Sequence, residues 1–266
     1  HYVRLKDMST PLEHGLVVFD DAKQQFERLV TFDLASPLRA GWGHAFRHEA
    51  DGVEYVTFAS PFPTLRVRAD WASIQDARRY EAFTPLVKGA RLDKANPQLE
   101  RGPSKELVYG WKPDTARVGP GEQAELVKSG KLRANEGYFQ MRDVETAKPI
   151  QPHGGSVFYN GYRKHWLMIF NQVWGTPSML GEMYYAEAEA ALGPWTTARK
   201  IVTHNDYSFY NPKHHPYFDQ EQGRVIYFEG TYTKMFTGNQ DPTPRYEYNQ
   251  IMYRLDLSDP RLDMKR

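Results

Sequence analysis

His153-Gly154-Gly155-Ser156-Val157-Phe158-Tyr159, a turn at Asn160-Gly161, then Trp166-Leu167-Met168-Ile169-Phe170 is the stretch that decides the fold. Two runs rich in aromatic and β-branched residues on either side of Asn-Gly read as a β-hairpin, because Asn and Gly accept the left-handed backbone that a tight reversal demands. The same grammar recurs four more times. It appears in residues 14–19 and 29–32 around Asp20-Asp21-Ala22-Lys23, and in residues 44–48 and 55–58 around Ala50-Asp51-Gly52. It returns in residues 97–100 and 107–111 around Gly102-Pro103-Ser104, and in residues 215–218 and 225–228 around Glu221-Gln222-Gly223.

Further strand-like runs follow several hairpins, as blades of four strands require, at residues 65–68, 80–83, 183–186, 199–202 and 250–255. Five units in 266 residues allow about 53 each, near the length of one propeller blade. The expectation is an all-β, five-bladed β-propeller, with residues 1–266 forming a single domain. The first blade is short, so residues 2–5 are expected to add an outer strand and close the circle. Residues 119–133 break the β pattern: good helix formers follow Gly119-Pro120-Gly121 and end near Gly130. They read as a short helical insertion in the third blade, lying outside the barrel and removable, with a lid or a dimer contact as the sharper alternative.

Composition narrows the function classes. Lys plus Arg (34) nearly cancel Asp plus Glu (33), which leaves no diffuse positive field for a nucleic acid or an anionic membrane surface. With no Cys there is no disulfide, thiolate metal site or cysteine nucleophile. No apolar run approaches the roughly 18 to 20 residues that span a bilayer. The chain begins at His1 rather than Met, which fits a removed export signal, so the expected location is secreted or periplasmic.

Only nine His are present, yet His14, His44, His153 and His215 each open a repeat, at a position that faces the axis of a propeller. Imidazoles converging there suit a divalent metal of the Zn or Mn type, with calcium disfavoured because it prefers a shell of oxygens. Hydrogen bonding in a wet channel without a metal is the plainer alternative. Near the fifth repeat, Tyr207, Tyr210, Asn211 and His214 form a dense polar loop suited to binding, and Arg142 and Arg245 precede strands from which a guanidinium could clamp a carboxylate or sulfate. Glu13, Glu100 and Glu229 are the best-placed carboxylates for catalysis, although no spacing among them identifies an acid–base pair.

Ala191-Leu192-Gly193-Pro194-Trp195-Thr196, then Lys200-Ile201-Val202 and Asn211-Pro212-Lys213-His214-His215-Pro216, resembles the five-bladed propeller glycosidases of glycoside hydrolase families 43, 32 and 117. The resemblance covers residues 154–229 and implies carbohydrate as the substrate class. His153-Gly154-Gly155-Ser156-Val157 resembles the single axial His segment of family 43, which otherwise sets acidic residues at the openings of inner strands. Four His in place of those acids favour a metal-centred or His-assisted variant of glycoside hydrolysis. Two other functions stay open: a metal-assisted lyase on uronic-acid sugars, in which a Tyr or His abstracts the proton next to the carboxylate, and a sugar-binding propeller without catalysis.

Overall fold

A computed structural model describes residues 1–7, 10–36, 38, 43–176 and 178–264. The chain is all-β, built from four sheets of consecutive strands in the manner of propeller blades, with few helices. Its internal contacts divide it into two compact units, His1–Phe58 with Thr64–Gly137, and Ala59–Pro63 with Tyr138–Arg266.

The first unit holds two sheets. One orders β1 (Tyr2–Leu5), β2 (Pro11–Asp20) and β3 (Gln25–Thr31) as an antiparallel meander. The N-terminal strand joins the first sheet, but at the edge beside β2, the strand expected to be innermost, with Val3 opposite His14, so it is not the outer strand expected beyond β3. The other sheet runs β4 (His44–Ala50), β5 (Val53–Ala59), β6 (Leu65–Arg68), β7 (Glu81–Thr84) and β8 (Gly110–Pro113). Between β6 and β7 a single helical turn, α1 (Trp71–Ile74), starts at Asp70, whose carboxylate accepts from Ser73 N at 2.8 Å. Phe32, Leu38, Phe58, Leu65, Val67, Tyr80 and Ala82 form the core.

The third expected blade does not form a sheet of its own. Its hairpin survives only as isolated pairings of Leu86 with Leu99 and of Arg101 with Leu107, plus the bond from Val108 N to Glu100 O. Pro97 and Pro103 bring no N–H to a ladder. The aromatic residues that follow are captured instead by the second sheet, where Trp111 pairs with Phe83 across β7 and β8 and Tyr109 stacks on Phe83 at 5.8 Å. Four sheets, not five, are thus present among the described residues.

The expected helix is there as α2 (Pro120–Lys128). Gly119 is its N-cap, Pro120 opens the first turn, and Glu122 accepts from Gly119 N at 3.0 Å. It is not a removable decoration, however. Leu126 is fully buried in a cluster with Leu86, Ala90, Ala116, Val118 and Leu132.

The second unit carries the other two sheets. One is the meander β10 (Pro152–Asn160), β11 (His165–Gln172), β12 (Glu182–Ala188) and β13 (Thr197–Thr203), with the short β9 (Arg142–Asp143) parallel on the outer edge of β13. The β10–β11 reversal occupies residues 161–164, with Lys164 at φ 55° in the left-handed region rather than Asn160 or Gly161, and Asn160 acts through its side chain. That buried carboxamide accepts from Arg163 N and donates to Gly223 O, both at 2.8 Å, and so ties the turn to the next sheet. The last sheet orders β14 (Ser208–His214), β15 (Val225–Thr233) and β16 (Asn249–Asp256). Leu167, Ile169, Met183, Tyr185, Phe209, Ile226 and Phe228 pack between these sheets. Each such side chain is worth about 1.5–3 kcal/mol on burial.

Two corrections concern the repeats. Residues 215–218, expected as an inner strand, form the 3-10 turn Pro216–Phe218, because Pro216 cannot donate to a ladder and its fixed φ suits a turn. The strand is the preceding Ser208–His214, where Pro212 is tolerated beside a bulge. The four histidines are consequently not at equivalent positions. His14 sits inside the middle strand of its sheet, His44 opens β4, His153 is second in β10, and His215 follows the end of β14.

Candidate functional site

Strand β14 organises the site. Tyr210 pairs with Thr231 and Lys213 with Glu229, so β14 carries one residue more than β15 between these pairs. Asn211 takes the extra position with φ 54°, a left-handed conformation that Asn tolerates better than most side chains. Beside it runs β10, joined to β14 by the bond from His214 N to Ser156 Oγ at 2.8 Å. Asn171 on β11, fully buried, donates to Phe209 O at 3.1 Å and accepts at 3.0 Å from the N–H of Gly154, one residue from His153. His153, Tyr210, Asn211 and His214 are thereby gathered on two adjacent strands.

At the start of β14 opens a cleft of about 570 Å³, lined by Asn205, Asp206, Tyr207, Thr237, Asn239 and Asp241. Tyr207 leans on Tyr232 with ring centroids 5.0 Å apart, and Tyr210 lies between Phe236 (6.0 Å) and Tyr248 (5.7 Å). The loop between β15 and β16 is folded around Glu247. Its carboxylate accepts from Thr233 Oγ1, from Lys234 N at 2.7 Å and from Thr243 N at 3.0 Å, and these bonds, that of Thr233 first, hold it below the usual carboxylate range. Arg245, expected to bind substrate, is exposed on this loop with φ 70°, and Phe236 and Tyr248 also have positive φ. Left-handed bulky residues cost on the order of 1–3 kcal/mol each and concentrate at binding sites.

At the other end of β14 the two adjacent histidines diverge. Buried His214 turns towards Phe158 and sets Nε2 2.8 Å from Asp219 Oδ1. Buried His215 sets Nδ1 2.5 Å from Tyr217 Oη. Its Nε2 lies 2.9 Å from Glu229 Oε1 but out of line with a hydrogen bond, so that contact is electrostatic.

The remaining expected residues lie elsewhere. Glu13 is held by Tyr2 Oη at 2.5 Å, Arg28 at 2.9 Å and Arg4 at 3.2 Å, the tyrosine bond foremost in lowering its pKa. Glu100 pairs with Lys112 at 2.6 Å. Both belong to the first unit and are engaged by cations. Arg142 is exposed on the edge strand β9 and donates to Ala147 O at 3.0 Å. His14 is buried against Phe32 and His1, while His44 is half-buried. His14 and His44 belong to the first unit and His153 and His215 to the second; among the described residues no group of three His, Cys, Asp or Glu could hold a metal.

The dense polar run of residues 204–207 already contained Asp206, whereas sequence reasoning did not name Asn239, Asp241, Asn171 or Phe236, nor Tyr217 as the partner of His215. The interleaving of Asn and Asp with aromatics over residues 205–211 and 236–248 is the signal that could have found most of them.

Burial lowers the pKa of His204, which bonds Tyr253 Oη at 2.7 Å between aromatic rings, and of His153 despite its exposed edge. Burial and, second, Arg66 lower that of His48. Between about pH 7.5 and 5.5 the unfolded chain binds these protons before the folded one does, so stability should decline as pH falls through the ordinary His range. Urea midpoints at the two pH values check this, since carboxylates stay ionised across that window; a higher midpoint at the lower pH would contradict it.

No protein-family model matches this chain, and no curated protein matches it.

Proposed function

We propose that this is a propeller-type carbohydrate-active protein that seats a glycan in the cleft at the start of β14. The observation that carries the reading is the cleft itself. At about 570 Å³ it falls within the size range of small-ligand sites, and its amides, hydroxyls and carboxylates meet the hydroxyl-rich edge of a sugar. Tyr207, backed by Tyr232, offers a ring face to the apolar side of a pyranose. Asp206 and Asp241 bring two carboxylates into one cleft, which is the complement that glycosidic hydrolysis uses. They replace Glu13 and Glu100, which their ion pairs occupy.

The test is a binding screen over neutral and acidic oligosaccharides, followed by calorimetry on the best ligand. Tyr207→Ala should weaken binding about tenfold, equivalent to about 1.4 kcal/mol. Glu13→Gln, in the other unit, should leave it unchanged. Equal affinity of Tyr207→Ala and the parent protein would remove the cleft as the glycan site.

A further inference from the structure

We propose that Tyr217, His215 and Glu229 form a proton-transfer site for an anionic sugar or other carboxylate-bearing substrate, with Tyr217 as the group that touches it. This does not rest on the cleft reading, because the three residues lie at the opposite end of β14.

An exposed tyrosine ordinarily gives its hydroxyl to water. Tyr217 is 69% exposed, yet its Oη is 2.5 Å from Nδ1 of an imidazole that is only 6% exposed. The residue is held in place: its backbone N donates to Tyr227 O at 2.9 Å, the Phe218 ring lies 5.8 Å from the imidazole, and Glu229 Oε1 stands 2.9 Å from Nε2. A hydroxyl, a base within hydrogen-bond reach, and a third group beside the base is the arrangement that activates a weak acid for transfer.

In the transfer the phenol proton of Tyr217 moves to Nδ1, and the phenolate oxygen takes a proton from the substrate. Glu229 balances the imidazolium that forms. Return of the proton from Nδ1 to Oη, and of the phenol proton to substrate or product, restores the resting state.

The substrate class follows from two neighbouring cations. Lys213 sits directly opposite Glu229 on β14, and Arg254 sits on β16 opposite Tyr227, two residues from Glu229. Arg254 also acts electrostatically on Asp256, so Lys213 is the cation most directly placed beside Glu229. A cation beside a proton-transfer site suits a carboxylate.

The experiment needs no turnover. Tetranitromethane, which attacks phenolate, is applied to the folded protein, and nitration is followed residue by residue by mass spectrometry. Tyr246, 73% exposed, is the internal reference. Tyr217 should react several-fold faster than Tyr246, and His215→Gln should bring it down to the rate of Tyr246, with Glu229→Gln falling between. Tyr246 should react equally in all three proteins, which separates a lost relay from a lost fold. Nitration of Tyr217 no faster than Tyr246, or a rate unchanged in both variants, would overturn the relay. An oligogalacturonate should slow the nitration of Tyr217 more than a neutral oligosaccharide of equal length, and Lys213→Gln should abolish the difference. Equal protection, or none, would overturn the anionic substrate class.

Discussion

Phe209→Ala should destabilise the second unit by about 3–5 kcal/mol, the range for truncating a fully buried aromatic side chain. The side chain has no exposure and packs among Leu167, Ile169, Met183, Ile226 and Phe228. Gly230 on β15 is a glycine for its sake: a Cβ there would stand 2.4 Å from the Phe209 ring. The ring also stacks on His204 at 5.4 Å and meets the edge of Tyr253 at 5.3 Å. Close packing on every side leaves little room for collapse, which places the cost high in the range. Urea denaturation should show the midpoint falling with little change in slope, and Phe209→Leu should recover most of the loss. A cost under about 1 kcal/mol would mean that β14 is not held by this core.

Leu126→Ala tests the correction to the helical insertion. A helix that merely decorates the surface would tolerate the change within about 0.5 kcal/mol. Leu126 is instead fully buried against Leu86, Ala90, Ala116, Val118 and Leu132, so the expected cost is about 2–5 kcal/mol. Glu125→Ala on the exposed face removes only a surface ion pair with Lys94 and should cost about 0–1 kcal/mol. By the same logic, excision of residues 119–133 should unfold the cluster rather than only alter activity or assembly. Equal stability of Leu126→Ala and Glu125→Ala would restore the decorative reading.

The β content and the best hairpins were legible because their signals are local. The two apolar runs around residues 160–165 form the expected hairpin, although its reversal spans residues 161–164 with Lys164 rather than Asn160 or Gly161 in the left-handed region, and the helix begins where Gly119-Pro120 says it should. The number of sheets was not legible, since nothing near residues 97–111 announces that Trp111 will pair with Phe83, nearly thirty residues earlier. The histidine alignment failed for a related reason: matching strings on His ignored the register of each strand, and Pro216 ends what looked like a strand start. Tyr207, Tyr210 and Asn211 were named from loop composition, and of these Tyr207 lines the cleft. Asn171 was hidden inside an apolar strand, because its role depends on the Phe209 carbonyl of another sheet.

Hydrogen–deuterium exchange with and without the best glycan from the binding screen tests the central claim most directly, that the second unit's cleft at the start of β14 is where sugar binds. The account predicts slowed exchange in peptides covering residues 203–212 and 234–248, where the backbone of the cleft and its aromatic loop would be held by the ligand, and unchanged exchange in residues 1–58. Protection confined to the first unit, or no protection at a glycan concentration that saturates the protein, would contradict it.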